Sequence, residues 1–302
     1  MLLRSRLARF FLISMVTVFA GLLAAACAQQ ETPTLRVGGI PDQDAQRLAR
    51  RYEIFADYLS KELDVPVEYV PSVSYSAVVT AFSQNDVQLA FFGALTGVQA
   101  RMQNPGARAI VQRAHDAEFH SKYVVRGGDE FADLNNLDDL VGQTGDLTIT
   151  FGSESSTSGH LMPRYFLGDA GIDVANDFRT PPGFSGSHDK TWQLVAAGSY
   201  DVGALAEDVW ERAVTEGKAD PTKVRELDTT PNYFNYNWTA RADLDEVYGD
   251  GFTDKVQTAL LALNPQDHGE VLELFSTEQF IATNNDNYQA IESVARELGI
   301  IR

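Results

Sequence analysis

Four consecutive hydroxyl-bearing residues, Ser155-Ser156-Thr157-Ser158, follow the β-rich run Leu147-Thr148-Ile149-Thr150-Phe151 and Gly152. They precede a stretch with Leu161, Tyr165 and Phe166 on one helical face. A strand, a glycine and a hydroxyl cluster opening into a helix can seat an anion. The helix start offers free N–H groups and roughly half a positive charge, and the hydroxyls add donors. Gly159 lets the backbone approach a ligand closely. One hydroxyl suffices for an N-cap and four exceed that need, so from chemistry alone anion binding and plain capping stand as equal readings. Pro163 places the start of the regular helix close to it. His188 follows Ser185-Gly186-Ser187 and precedes Asp189 at another helix start. An imidazole there can donate to an anion or bond its neighbouring carboxylate. His160, beside the hydroxyl cluster, divides equally between the site and a packed supporting role. Trp192, Trp210 and Trp238 read first as core. Only Trp238, inside Tyr233-Phe234-Asn235-Tyr236-Asn237-Trp238, is also a site candidate.

Several chemistries are excluded. A formal charge of −18 with no Lys/Arg-rich run argues against nucleic-acid binding. One cysteine rules out an intramolecular disulfide and every multi-cysteine metal site, and no metal or cofactor is expected. A serine hydrolase built on Ser156, His188 and Asp189 lacks a Gly-x-Ser-x-Gly elbow, and adjacent His-Asp is poor geometry for an orienting carboxylate. No His-Glu-x-x-His, Walker A loop or dinucleotide fingerprint is present.

The elements that must position these residues alternate in type. Strands are expected at 35–41, 67–70, 86–93, 147–151 and 201–206. A helix after the first places Leu48, Ala49, Tyr52, Phe55, Ala56, Leu59 and Leu63 on one face. Ser74 can cap a helix carrying Val78, Val79 and Phe82, and helices are expected at 254–263, 268–275 and 287–298. Residues 75–93 and 189–207 look alike, each a helix feeding a strand through Asp-Val. With a length of 302 residues, this predicts two similar α/β lobes.

Residues 1–26 carry Arg4, Arg6 and Arg9, an apolar run from Phe10 to Leu23, and Ala24-Ala25-Ala26 before Cys27. This describes a secretory signal, and a cysteine directly after the small residues resembles a bacterial lipobox in which Cys27 would be lipidated. Residues 27–33 read as a lipidated tether. Removing 1–26 deletes three arginines and no acid, which takes the charge from −18 to −21.

The longer string Phe151-Gly152-Ser153 through Ser156-Thr157-Ser158-Gly159-His160-Leu161-Met162-Pro163-Arg164 resembles the signature of periplasmic phosphonate/phosphite-binding proteins, nearest the branch named for selenate transport. Ser74-Tyr75-Ser76, Phe184-Ser185-Gly186-Ser187-His188-Asp189 and Tyr236-Asn237-Trp238-Thr239 resemble it too, in order, over 34–302. The resemblance implies an α/β chain of periplasmic binding protein type 2 architecture with two hinge crossovers, one lobe over 34–124 plus 236–302 and the other over 125–235. It implies a solute-binding lipoprotein of an ABC importer, periplasmic and anchored through Cys27. A small oxyanion of phosphonate, phosphite, phosphate or selenate type would be captured between the lobes and delivered to a permease and its ATPase. The protein is expected to be a monomer without enzymatic activity; a sensor subunit for signalling is the alternative. The family's ligand contacts carry over to Tyr75, Ser156, Thr157, Ser158 and His188, and more loosely to Tyr236 and Trp238. His160, Asp189 and Glu207 are supporting candidates. The acid that binds a protonated oxygen or an amine in the family has no clear match, although Glu207 and Asp208 lie nearby.

An acidic protein can hold an anion because surface charges are screened over about 8 Å at physiological salt. Aligned donors in a water-poor cleft act at about 3 Å. A buried donor left unpaired costs about 1–3 kcal/mol, so the count of donors sets discrimination.

Overall fold

The computed structural model describes residues 32–302. The leader at 1–26, Cys27 and most of the tether lie outside the described residues. Among those described, no helix is long and apolar enough to cross a membrane.

The chain first lays down β1 (Leu35–Gly39), β2 (Val67–Tyr69), β3 (Leu89–Phe92) and β4 (Arg108–Arg113). It crosses to a second sheet of β5 (Ser121–Arg126), β6 (Ile149–Phe151), β7 (Gly183–Phe184), β8 (Val202–Ala206) and β9 (Val224–Thr229). It then returns with β10 (Asn237–Ala240) and β11 (Phe280–Ala282). The spatial orders are β11-β4-β10-β3-β1-β2 and β7-β6-β8-β5-β9. Each sheet holds three parallel strands in one arrangement, β2-β1-β3 and β7-β6-β8. Each then adds an antiparallel strand that follows a crossover, β10 beside β3 and β5 beside β8. The likeness between 75–93 and 189–207 therefore reflects equivalent helix–strand units in two similarly wound sheets. β3 starts at Leu89, later than expected, because the N–H groups of Asp86 and Val87 both donate to the Ala81 carbonyl to close the preceding helix.

The helices are α1 (Ala45–Leu63), α2 (Tyr75–Ser83), α3 (Ala94–Gln103), α4 (Met162–Asp169), α5 (His188–Ala196) and α6 (Glu207–Thr215). A C-terminal set follows: α7 (Leu244–Tyr248), α8 (Phe252–Leu261), α9 (Pro265–Leu274) and α10 (Gln289–Glu297). Asp44 caps α1, accepting from the Gln46 and Arg47 N–H groups. The buried face of α1 is the expected one apart from Ala49, which is exposed, and Arg51 and Tyr58, which are buried. Against this face lies an aromatic stack in which Trp238 of β10 is parallel to Phe55 at 4.4 Å and Phe91 lies 5.2 Å from the indole. Each large side chain so buried stabilises by about 1.5–3 kcal/mol.

The crossovers are residues 114–120 and 230–236. They run side by side: Phe119 and Tyr233 exchange N–H···O=C bonds at 3.0 and 2.9 Å, and the Asn235 N–H donates to the Asp116 carbonyl at 2.9 Å. Ser121–Val124 belong to the second sheet, not to the first as the 124/125 division required. β5 is already laddered to Ala206 at Ser121, and nothing in the local sequence marks where that pairing starts.

Candidate functional site

Parallel α/β sheets present their strand carboxyl ends to ligands. Here β1 runs into the loop of Asp42, α2 begins at Tyr75, β6 enters the hydroxyl turn, β7 leads to His188, and β8 leads to Asp208. The two sheets bring these ends together, and three backbone N–H bonds cross between them. His188 donates to the Asp42 carbonyl at 3.0 Å. Asp44 donates to Asp189 Oδ2 at 3.1 Å, and Leu95, in the first turn of α3, donates to Thr157 Oγ1 at 2.9 Å.

The hydroxyl turn is shaped by proline. Thr157–Leu161 forms one π-helical turn before α4. Pro163 lacks an N–H, so the Gly159 carbonyl is not claimed by the helix. It accepts instead from Gly152 at 2.8 Å, which stitches the turn to the end of β6. Ser156 Oγ accepts from the Gly159 N–H at 3.0 Å and keeps its proton to donate. Gly159 is required by a close approach: a Cβ there would stand 2.9 Å from His188 Cε1 and 3.0 Å from Ser156 Oγ.

His188 is fully buried. Its Nδ1 accepts from the Ala206 N–H at 3.2 Å. The backbone can only donate, so the ring proton sits on Nε2, 3.3 Å from Tyr236 Oη. Burial pushes its pKa down, with the charges of Asp42 and Asp208 opposing. The neutral ring is a donor, and with a backbone amide on Nδ1 no carboxylate orients it as a hydrolase triad needs. Tyr75 and Tyr236 are buried, and their pKa values are driven well above the ordinary phenol range, first by burial and then by Asp42. Both remain protonated. The Tyr75 hydroxyl has no hydrogen-bond partner.

Two carboxylates share this space. Asp42 Oδ1 is buried without a hydrogen bond, 3.8 Å from Arg51 Nη1. Asp208 Oδ2 accepts from Arg113 Nη1 at 2.8 Å, while its Oδ1 is buried and unpartnered. Burial acts to raise the Asp208 pKa, but Arg113 overrides it and holds the carboxyl well below the usual range. The charges of Asp42 and Asp208 both act on Tyr75, Tyr236 and His188. The site thus combines neutral O–H and N–H donors with two acceptor-only oxygens.

Other expected residues stand elsewhere. Trp238 is fully buried in the aromatic stack against Phe55, Phe91 and Tyr52, and its Nε1–H has no hydrogen-bond partner. Of the two neighbouring acids, Asp208 reaches the site. Glu207 turns to His120, accepting from its N–H at 3.0 Å and lying 3.1 Å from Nδ1, along a cavity of about 630 Å³ that Asp208 also lines. Burial pushes the Glu207 pKa up. The Ser158 carbonyl accepts from Ser121 Oγ at 2.8 Å. His160 Nδ1 lies 2.8 Å from the Glu154 carbonyl, with its ring between Phe151 and Phe184. Burial lowers its pKa to about 4. Asp189 is also 3.7 Å from Arg212. Asp42, Arg51 and Arg113 were not foreseen. Asp42 follows Gly38-Gly39-Ile40-Pro41 at a strand end, the one local signal available, whereas the two arginines carry none. Among the described residues, no group of three His, Cys, Asp or Glu could hold a metal ion.

Residues 37–288 match the family of periplasmic phosphonate substrate-binding proteins of ABC transporters. A probable ABC transporter phosphite-binding protein of Prochlorococcus marinus (strain MIT 9301) is 39% identical over 299 residues, covering 97% of this chain and 99% of its own. The structure of that organism's protein in complex with methylphosphonate superposes with a TM-score of 0.85 at 40% identity, over 89% of this chain and 99% of the other. A binding-protein component of a Pseudomonas aeruginosa ABC phosphonate transporter shares the fold at 19% identity and a TM-score of 0.75, over 87% and 85% of the two chains. The architecture is that of the type 2 periplasmic binding proteins, as the two mixed sheets and paired crossovers require.

Proposed function

The chain belongs to the phosphonate-binding periplasmic substrate-binding family of ABC transporters, and from that premise we propose that it captures a phosphite or phosphonate carrying one proton and one negative charge. Membership makes it an extracytoplasmic solute-binding protein of an importer, with a membrane permease as its partner.

The observation that carries the ligand is the pairing of donors with acceptors. The hydroxyls of Tyr75 and Ser156 and the Nε2–H of His188 suit bare oxyanion oxygens. The buried, unpartnered Oδ1 atoms of Asp42 and Asp208 suit an oxygen that brings its own hydrogen. Sulfate and selenate carry no proton at neutral pH and would face two carboxylates lone pair to lone pair. The local charge points the same way. The carboxylates of Asp42, Asp116 and Asp208 outnumber the guanidiniums of Arg51 and Arg113, and each further uncompensated charge costs several kcal/mol in the interior. A monoanion adds the least.

Capture would close the sheets on one another as two lobes, stabilised by the three backbone bonds that cross between them. The lobes in this reading hold residues 34–113 plus 237–302 and residues 121–229. Cys27 would carry the lipid, the protein would act as a monomer without catalysis, and the permease's ATPase would drive uptake. Calorimetric titration of the purified protein with phosphite, methylphosphonate, phosphate, sulfate and selenate tests the ligand. Saturable binding of phosphite or methylphosphonate, with sulfate and selenate weaker, is expected; binding of none overturns the reading.

A further inference from the structure

We propose that Arg113 is a positioning residue that makes this site demand a proton on its ligand, acting through Asp208; the proposal rests on the oxyanion reading above. Arg113 ends β4 at the first crossover and is buried. Its Nε and Nη2 grip the two oxygens of Asp116 at 2.7 and 2.8 Å. The fork has one further arm, Nη1, which donates to the Phe275 carbonyl at 2.9 Å and to Asp208 Oδ2 at 2.8 Å. The guanidinium plane is covered by the Tyr236 ring at 4.5 Å, with Phe91 and Phe119 at 5.7 Å. Held at its fork and on its face, the group cannot follow Asp208 elsewhere, and a guanidinium does not give up its proton when buried.

The consequence falls on the other oxygen. With Oδ2 taken and the carboxylate kept ionised by Arg113, Oδ1 has lone pairs alone to offer. A ligand oxygen facing it must supply the hydrogen. Without the guanidinium, burial would push the Asp208 carboxyl towards its protonated form against the remaining pull of His115 and Arg212, and a protonated oxygen there would be a donor to a bare dianion. Arg113 therefore decides on which side of the contact the proton resides. It does this from the hinge and without touching the ligand.

The test is a ratio. The purified protein and its Arg113→Gln, Arg113→Met and Arg113→Lys variants are titrated at pH 7.5 with phosphite, methylphosphonate, sulfate and selenate. The two neutral variants are expected to lose about tenfold or more of the phosphite-over-sulfate preference, the scale of one mispaired buried group. The loss should come partly from tighter sulfate and selenate, and Arg113→Lys should regain most of it. A residue that merely braces the hinge would weaken all four anions alike, and an unchanged ratio overturns the proposal. If circular dichroism shows that neither neutral variant folds, Asp208→Asn is titrated instead; it must lower the same ratio, and an unaltered ratio overturns the proposal. Wild-type protein that binds phosphite and sulfate equally also overturns it. Wild-type protein that binds none of the four overturns the oxyanion reading on which it rests.

Discussion

Tyr75 and Ser156 both offer a hydroxyl to the site, yet they contribute to the fold in opposite ways. The Tyr75 hydroxyl is buried without a partner, so removing it relieves a desolvation cost in the unliganded protein. Tyr75→Phe is therefore expected to leave the melting temperature unchanged or higher while phosphite affinity falls about tenfold; a fall in both by scanning and titration calorimetry would refute this. Ser156 Oγ caps the turn through Gly159, so Ser156→Ala should lose about 1 kcal/mol of stability together with affinity. Tyr75, Ser156, His188 and Tyr236 were legible because a short pattern surrounds each of them. Asp42 and Arg113 were not, because their importance comes from partners far along the chain: the Asp42 carbonyl receives the His188 N–H, and Arg113 reaches Asp208.

The turn between β6 and α4 was correctly read as a strand opening through hydroxyls into a helix. Its division of labour was not. Thr157 accepts from α3 of the other sheet, and Ser158 contributes its carbonyl to Ser121. Both are tertiary partners that local spacing cannot encode. Gly159 tests how tightly the turn is packed. A methyl there meets His188 and Ser156, so Gly159→Ala should destabilise by about 1–3 kcal/mol, as overpacking does, and weaken phosphite binding. Thermal melts and titrations that match the parent would mean the turn has slack. Alternation of strands and helices was likewise legible from periodicity. The ends of β3 and β5 were not, since Ala81 and Ala206 set them through hydrogen bonds.

Across the whole molecule, acidity acts through buried imidazoles. His160 has a pKa of about 4 against an ordinary 6.5, so the unfolded chain binds the proton more readily. Its contribution is full above about pH 6.5 and drains away as pH falls towards 4, reinforced by His188, whose pKa is also lowered. Melting temperature should decline over that window, and His160→Gln should flatten the decline; an identical slope would exclude His160 as the source. The net charge predicts a second bulk property. With −21 expected after loss of the leader, an anionic ligand approaches against repulsion that salt screens. Stopped-flow association with phosphite should speed up a few-fold between about 20 and 200 mM salt while dissociation hardly changes; a slower association would point to a basic entrance instead. The paired crossovers carry a mechanical consequence. Stitched at Phe119–Tyr233 and Asn235–Asp116, they behave as a flexure, compliant in bending and stiff against sliding. Sliding one crossover along the other would break these backbone bonds whereas bending need not, so opening and closing are expected to preserve the register of the two strands of the hinge.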